Sequence, residues 1–366
     1  MEPSQNPIIQ PISEQTEKES NPTTSGTLID NDTNNQPTKG NETDAIEESD
    51  EDQSQDSNNE SEDPLECFEP DEEEVNLVQM RLWTLENLDF TKFENIKTLC
   101  LRQNFLKKIE GLNTLKTLTE LDMYDNRITK IQGLDNLTNL KSLDISYNNI
   151  RKIQNIETLK NLNYLYMISN KFKIIENLET LTNLVTLELG SNRIEKIENL
   201  DTLVNLQELY LGKNKIKKIE ASFNLDKLVN LRILGLQSNR IVELENMQGL
   251  TSLEELYISH NGILKIKGLE HNASTMFSLS KTNFLLNNRL SVFENVEHLS
   301  ELEEVWASSN EFDSYQDIET QLKDKKNLNT VYFEDNPIQK STPAQYRLKL
   351  KLALPQLKQI DANYVR

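Results

Sequence analysis

The stretch 184–220, "LVTLELGSNRIEKIENLDTLVNLQELYLGKNKIKKIE", contains nearly the same pattern twice. The pattern L-x-L-x-x-N at 187–192 returns 22 residues later at 209–214, and the I-x-x-I that follows it returns as well. The residue between the two leucines changes, from Glu188 in one copy to Tyr210 in the next. The repeat therefore separates fixed positions, which build a fold, from a varying position that must be explained differently.

The asparagine that ends each L-x-L-x-x-N unit, called the marker asparagine below, recurs along most of the chain. The markers are Asn104, Asn126, Asn148, Asn170, Asn192, Asn214, Asn239, Asn261, Asn310 and Asn336. Five successive spacings are 22 residues, and the spacing of 49 between Asn261 and Asn310 leaves room for one irregular repeat, over 272–290. Self-similarity at such a period is the signature of a solenoid.

Each unit predicts one coil of that solenoid. The alternation L-x-L is typical of a short strand with its leucines facing inward, and the later three-spaced Ile and Leu favour 3₁₀ turns or loops on the return path. Units this short bury a core only when they are stacked, so we expect an α/β leucine-rich-repeat solenoid with a curved parallel sheet of about eleven short strands. The marker asparagine should turn inward and bond backbone groups.

The acidic charge of the chain lies in one segment. Residues 1–74 hold 23 Asp and Glu against two Lys, which equals the formal net charge of −21 of the whole chain. The segment is also poor in large apolar residues, so we expect a disordered acidic tail. The remainder is balanced in charge, and its bulk charge does not indicate a partner.

We assign 75–336 to the solenoid and 337–366 to a C-terminal cap. Within the first range, 75–96 carries unpatterned apolar and aromatic residues and is the candidate N-terminal lid, because a solenoid must cover its ends. In the cap, Pro343 should begin a helix and Pro355 should end it. The solenoid therefore has a predicted capping helix at its C-terminal end.

The sequence favours a soluble intracellular protein. The start, "MEPSQNPIIQ", lacks the basic and apolar regions of a signal peptide, and no run of about 18 apolar residues is present. Two cysteines, Cys67 and Cys100, are typical of a reduced compartment. We therefore expect no membrane association.

The varying position forms a column, called the concave stripe, four residues before each marker. It consists of Cys100, Asp122, Asp144, Tyr166, Glu188, Tyr210, Gly235, Tyr257, Trp306 and Tyr332. Single members of such a column are often polar filler. However, aromatics make up 6% of the chain, yet five of these ten residues are Tyr or Trp and three are acidic. Exposed aromatics beside acids favour a protein partner with a basic surface.

Other classes of function are disfavoured. The three histidines lack metal-ligand spacing, and no Gly-rich phosphate loop is present. We therefore expect no enzyme activity, metal or cofactor. An acid-lined groove repels phosphate, which argues against nucleic acid. Charged residues on the returning loops, such as Arg193, Glu195 and Lys196, are interpreted as a solvated face.

Several motifs carry a more specific resemblance. The segments "LDISYN", "LYMISN", "LELGSN", "LYLGKN", "EEVWASSN" and "VYFEDN", with the C-terminal "STPAQYRLKLKLALPQLKQIDANYVR", resemble the leucine-rich-repeat regulatory subunit of protein phosphatase 1 (the regulatory subunit 7 family). The resemblance covers roughly 75–366. It implies that the phosphatase catalytic subunit is gripped by Asp144, Tyr166, Glu188, Tyr210, Glu304, Trp306 and Tyr332.

The chain departs from the family pattern at two kinds of position. Tyr166 and Tyr210 stand where the family often has Phe, which keeps the ring and adds a hydroxyl. In the irregular repeat, the family has an Asp where this chain offers Ser278 or Phe284, depending on register. One acidic contact is therefore absent, and the groove is expected to differ there.

The resemblance implies a non-catalytic regulatory subunit that controls the activity, localisation or maturation of the phosphatase, in nucleus and cytoplasm. It further implies a ternary complex with another phosphatase regulator. The alternative is a leucine-rich-repeat adaptor for a different protein, cytoskeletal or ribonucleoprotein. A third hypothesis makes the acidic tail functional, with Ser49 and Ser61 suited to an acid-directed kinase, although a solubilising tail is favoured.

Overall fold

The structure is a computed structural model, and it describes residues 63–220, 225–266, 285–292, 294, 296 and 302–365. The chain divides into two units, Met1–Asn59 and Glu60–Arg366. All the elements below belong to the second unit. The predicted disorder of the tail before residue 63 and the sites Ser49 and Ser61 lie outside the described residues. No helix in the described part of the chain has the length and hydropathy needed to cross a bilayer.

The second unit is a solenoid built on three-residue strands. A nine-stranded parallel sheet follows chain order. Its strands are β1 Glu74–Asn76, β2 Thr98–Cys100, β3 Glu120–Asp122, β4 Ser142–Asp144, β5 Tyr164–Tyr166, β6 Thr186–Glu188, β7 Glu208–Tyr210, β8 Ile233–Gly235 and β9 Glu255–Tyr257. The central residue of each strand is buried. This confirms the predicted leucine-rich-repeat solenoid and the inward direction of its leucines.

A second sheet of four strands follows the irregular repeat. Its strands are β10 Glu304–Trp306, β11 Thr330–Tyr332, β12 Gln359–Ile360 and β13 Asn363–Tyr364. The first three run parallel, and β13 pairs antiparallel with β12. Residues between the two sheets keep the stacking, because His260 N donates to Leu286 O at 2.9 Å and Asn287 N donates to Ser308 O at 3.1 Å.

The marker asparagines hold successive coils together. Asn148 is 6% exposed. Its Oδ1 accepts from the backbone N of Ile128 in the preceding coil at 2.8 Å, and its Nδ2 donates to the carbonyls of Met123 and Ile145, both at 3.1 Å. The other markers repeat this pattern, which satisfies backbone groups that the turn leaves unpaired. The predicted inward role of these residues is confirmed.

The turn before each marker requires a left-handed residue. The residue that directly precedes the marker has φ between 51° and 60° in every coil from Gln103 to Asp335, including Tyr147 and Lys213. A second left-handed position follows the marker by seven residues. It is Gly111 and Gly133 in the early coils and Asn155, Asn177, Asn199 and Asn246 in later ones. The asparagine Nδ2 groups there donate to the preceding coil, as Asn155 does to Ile131 O at 2.7 Å.

The N-terminal segment is a coil rather than a separate lid. Val75 pairs with Leu99, so β1 within the predicted lid 75–96 extends the sheet. Leu65 is 1% exposed, and Lys92 Nζ donates to the carbonyls of Leu65 and Phe68. Residues 63–74, which the sequence assigned to the tail, therefore belong to the ordered structure. A 3₁₀ helix, Phe90–Lys92, lies on the return path of this coil.

Helices occur at the C-terminal end, in addition to a 3₁₀ turn at Leu225–Lys227. They are α1 Tyr315–Leu322, α2 Pro337–Ser341 and α3 Pro343–Ala353. As the sequence predicts, Pro343 lies in the first turn of α3. Tyr346, Leu350 and Ala353 are buried on one face of this helix. Strand β12 continues the sheet beneath α3, so the cap contains strands as well as the expected helix.

Candidate protein-interaction site

The strand register brings the concave stripe into one line. Going from β2 to β9, neighbouring partners in the ladder are Cys100, Asp122, Asp144, Tyr166, Glu188, Tyr210, Gly235 and Tyr257. In the second sheet Trp306 pairs with Tyr332. Adjacent strands lie about 4.8 Å apart, so neighbouring side chains of the stripe are in contact range. All seven predicted site residues lie on these strands. Asp144, Tyr166, Glu188 and Tyr210 are in the first sheet, and Glu304, Trp306 and Tyr332 are in the second.

Glu188 lies at the centre of the first sheet, between Tyr166 and Tyr210 in the ladder. Its Oε1 accepts a hydrogen bond from the backbone N of Gly190 at 3.0 Å. Burial raises the pKa of Glu188 from 4.5 to about 7, and the bond from Gly190 only partly opposes the shift. The carboxylate is therefore poorly solvated, and a cation brought by a partner would stabilise its charged form.

Asp144 is a second poorly solvated acid, two strands before Glu188. Burial raises the pKa of Asp144, although its Oδ1 accepts from the backbone N of Ser146 at 2.8 Å. The neighbouring Asp122 differs, because Arg102 Nη1 lies 2.8 Å from Asp122 Oδ2. Within the described residues, neither Asp144 nor Glu188 forms an ion pair. The stripe thus offers two acids without a cation.

Three tyrosines of the stripe, Tyr166, Tyr210 and Tyr257, stay protonated at neutral pH. Burial raises the pKa of Tyr166 and of Tyr210, and the charge of Glu208 raises both further. Burial also raises the pKa of Tyr257, whose hydroxyl donates to Glu255 Oε2 at 2.6 Å. These rings can therefore pack against an apolar partner surface while their hydroxyls donate hydrogen bonds.

Glu304, Trp306 and Tyr332 form a connected group in the second sheet. Trp306 Nε1 donates to Glu304 Oε2 at 2.8 Å, which orients the indole along its own strand. The Trp306 and Tyr332 rings lie with centroids 4.4 Å apart at 33°. The Tyr332 hydroxyl accepts from Gln359 Nε2 at 2.8 Å. The two rings are thus held in place before any partner binds.

Three glycines leave room for side chains on the same or the neighbouring strands. The sequence analysis did not identify this role. A Cβ at Gly190 would lie 2.7 Å from Glu188 Oε1, and a Cβ at Gly235 would lie 3.1 Å from Tyr210 Cδ1. A Cβ at Gly212 would lie 2.6 Å from Gln237 Nε2. For Gly190 and Gly212 the sequence contains a signal, because "LELG" and "LYLG" place Gly two residues after a stripe residue.

A further cluster at the N-terminal end of the concave surface was also outside the predicted site. The Arg102 guanidinium lies 4.1 Å from the centroid of the Tyr124 ring. The ring centroids of Tyr124 and Tyr147 lie 4.8 Å apart, and Tyr147 is 41% exposed. Arginine and tyrosine are common anchors of protein interfaces, so the surface suited to a partner extends to this end.

The irregular repeat has its own marker. Asn288 is 7% exposed, its Oδ1 accepts from Ile263 N at 3.2 Å, and its Nδ2 donates to Leu285 O at 3.3 Å. The sequence left Ser278 and Phe284 as alternatives for the stripe residue of this repeat. Both of these residues lie outside the described part of the chain. Among the described residues, no group of three or more His, Cys, Asp or Glu is placed to hold a metal ion.

The stacked coils and their marker asparagines define a leucine-rich-repeat solenoid with a stripe of acidic and aromatic residues on its strands. Two family models match parts of the chain. The one described as "Leucine rich repeat" matches residues 204–263, and the one described as "Leucine Rich repeats (2 copies)" matches 94–136 and 138–183. These ranges coincide with the regular coils of the first sheet.

Two curated relatives indicate a more specific resemblance than the repeat alone. The chain is 57% identical over 56 residues to "Protein phosphatase 1 regulatory subunit SDS22" of Schizosaccharomyces pombe, which is 15% of this chain and 17% of that protein. It is 52% identical over 54 residues to "Protein phosphatase 1 regulatory subunit 7" of Mus musculus, or 15% and 14% of the two chains. The matches confirm the resemblance read from the motifs, over less than a fifth of the length of these relatives.

Solved structures support the fold alone. An internalin from Listeria monocytogenes matches with a TM-score of 0.59 and 23% identity, over 80% of this chain and 87% of that one. A leucine-rich-repeat protein of Leptospira interrogans matches with a TM-score of 0.56 and 24% identity, over 74% and 62%. At this identity, the shared coil geometry carries no information on partners.

Proposed function

We propose that this chain is a non-catalytic regulatory subunit that binds the catalytic subunit of protein phosphatase 1 through its concave stripe. The observation that carries the proposal is the pair of poorly solvated, unpaired acids, Asp144 and Glu188, set among Tyr166 and Tyr210 on adjacent strands. The names of the curated relatives support the choice of partner. They do not favour the alternative of a cytoskeletal or ribonucleoprotein adaptor.

Binding would proceed by exchange of water for partner side chains. A lysine or arginine of the phosphatase would pair with Glu188 and Asp144. The pairing would offset the desolvation of the two carboxylates, which is the main cause of their raised pKa values. Trp306 and Tyr332 would supply the apolar anchor, with Glu304 meeting a further cation. Two acidic and aromatic groups on one curved surface would then hold the phosphatase at two separated points.

Regulation would depend on which part of the phosphatase the concave surface covers. A concave surface that encloses part of an enzyme can block a substrate, orient the enzyme toward a target or stabilise a newly made subunit. Control of activity, localisation or maturation in the nucleus and cytoplasm is therefore part of the proposal, as is a ternary complex with a further regulator.

Calorimetric titration of the purified catalytic subunit into the full chain tests this function. Trp306→Ala and Glu188→Ala should each lose about 2 kcal/mol or more of binding free energy, roughly thirtyfold in affinity. Matched controls are Trp83→Ala, at an exposed tryptophan outside the stripe, and Glu195→Ala, at an exposed acid of a returning loop. Controls that weaken binding as much as the stripe variants, or a wild type that does not bind, would refute the proposal.

A further inference from the structure

Basic residues collect along one edge of the solenoid, beyond the ends of the strands. In the six coils with markers from Asn104 to Asn214, the residues two and five after the marker are buried Ile, Leu or Phe, such as Ile128 and Ile131. The residues one, three and four after the marker face away from this core. These three outward columns are called the basic edge.

Lysine dominates the column four residues after the marker. It fills five of the six places, namely Lys108, Lys130, Lys152, Lys196 and Lys218, and all five are exposed. Lys or Arg also fills four of the six places in each of the other two columns, and the only acid in all three is Glu195. The strands of the same coils differ, since Arg102 is the one base among the stripe residues and the residues two places before and after them. The strand face and the basic edge therefore differ in charge.

The cations of the basic edge are not neutralised by the protein itself. Within the described residues, none of them lies in an ion pair. Lys171 Nζ donates to the neutral Asn149 Oδ1 at 2.6 Å, and Arg127 lies 4.6 Å from the Phe105 ring centroid. Repulsion between so many like charges costs free energy, and a bound anion would relieve it.

Exposed aliphatic side chains continue the same columns. Ile174 is 50% exposed in the middle of the basic edge. Val242 and Leu264 are 47% and 50% exposed on the next two coils, which are joined by a bond from Leu264 N to Val242 O at 3.1 Å. At this end the edge therefore carries two exposed aliphatic side chains beside the charged residues Arg240, Glu243 and Lys265.

We propose that the basic edge binds an extended acidic segment of a partner protein, with carboxylates over the lysine column and an apolar residue against Val242 and Leu264. The segment must differ from whatever binds the concave stripe, because the two surfaces select opposite charge. Five steps of about 4.8 Å between coils span roughly 24 Å, which about seven or eight residues of extended peptide cover. Nucleic acid offers no branched aliphatic side chain, such as that of leucine, for Val242 and Leu264.

Fluorescence anisotropy on the full chain tests the site. The probe is a labelled synthetic peptide of about twelve residues, in which two glutamates alternate with one leucine, long enough to reach Leu264. The test variant combines Lys130→Gln, Lys152→Gln and Lys196→Gln. The matched control combines Lys116→Gln, Lys141→Gln and Lys160→Gln, which changes the net charge equally at exposed lysines elsewhere.

We expect the peptide to bind the wild type in a salt-sensitive way, with affinity about tenfold lower for the test variant and nearly unchanged for the control. Leu264→Ser should weaken the same peptide and leave a peptide with serine for leucine unaffected. Equal loss in both lysine variants, or no binding to the wild type, would overturn the proposal. Tighter binding of single-stranded oligothymidylate than of the peptide would overturn it in favour of nucleic acid.

Discussion

Gly190 leaves space for the carboxylate of Glu188 and also holds it. The backbone N of Gly190 donates to Glu188 Oε1 at 3.0 Å, and a Cβ at Gly190 would lie 2.7 Å from that same oxygen. The acid at the centre of the concave stripe is therefore positioned by a residue two places along its own chain. Any side chain at Gly190 must move the carboxylate that a partner cation would meet.

Gly190→Ala should lower phosphatase affinity with little loss of stability. The atom in the way is the end of a flexible side chain, so Glu188 can swing aside at small cost, but it then leaves the position aimed at the partner. We expect a loss of about tenfold in affinity, measured by calorimetry, with an unchanged melting temperature. Gly262→Ala is the control, because its new Cβ would meet no atom closer than 3.5 Å. Unchanged affinity in Gly190→Ala would contradict this account of the site.

The raised pKa of Glu188 should appear in the stability of the free protein. Between pH 4.5 and about 7 the folded protein holds a proton that the unfolded chain releases. The contribution of Glu188 to the free energy of unfolding therefore falls as pH rises through this window and is constant above it. Relative to Glu188→Gln, the wild type should lose on the order of 2–3 kcal/mol from the bottom of the window to the top.

Urea denaturation across that pH range measures the difference between the two proteins. Glu195→Gln, at an exposed acid of a returning loop, is the matched control measured over the same pH range. Parallel stability curves for the wild type and Glu188→Gln would show that the carboxyl has an ordinary pKa in the folded protein.

Phosphatase binding should release protons near neutral pH. A partner cation favours the charged form of Glu188, so its pKa should fall in the complex, and affinity should rise with pH through about 7. Titration in two buffers with different ionisation enthalpies counts the released protons. The release should be absent in Glu188→Gln, and proton uptake by the wild type would have the wrong sign for this mechanism.

Removing a marker asparagine should cost far more stability than removing an exposed one. Asn148→Ala leaves the backbone N of Ile128 without a partner and removes one of the two side-chain donors to the carbonyl of Met123, at about 2–4 kcal/mol. Asn161→Ala removes one exposed bond to Thr138 O and should cost less than about 1 kcal/mol. Chemical denaturation compares the two, and equal costs would contradict the clamping role of the markers.

The regular part of the fold was predictable because each period contains the same pattern of apolar residues and asparagine. Leucines spaced by two and the asparagine three residues later recur every 22 residues, and equal periods bring equivalent residues into register. The line from Asp144 to Tyr210 follows from that spacing alone. Its position on the strands could therefore be predicted without knowing any side-chain contact.

Other features depend on contacts that a single period does not reveal. The left-handed position before each marker is filled by residues as different as Tyr147 and Lys213, so no residue type indicates it. Strand β1 lacks the leucine pair and the marker, and Val75 is recognised only by its pairing with Leu99. The contact between Gly190 and Glu188 depends on the orientation of the Glu188 carboxylate, which the repeat pattern does not indicate.

Site-directed photocrosslinking tests the central claim, that the concave surface receives the phosphatase. Benzoylphenylalanine replaces Tyr164, which is 42% exposed on the concave side of β5, and in a second protein replaces Val229, which is 46% exposed outside the sheet. We predict that irradiation of the complex links the catalytic subunit to position 164 and leaves position 229 unlinked. A crosslink at 229 without one at 164 would place the phosphatase on another face of the solenoid and contradict the account.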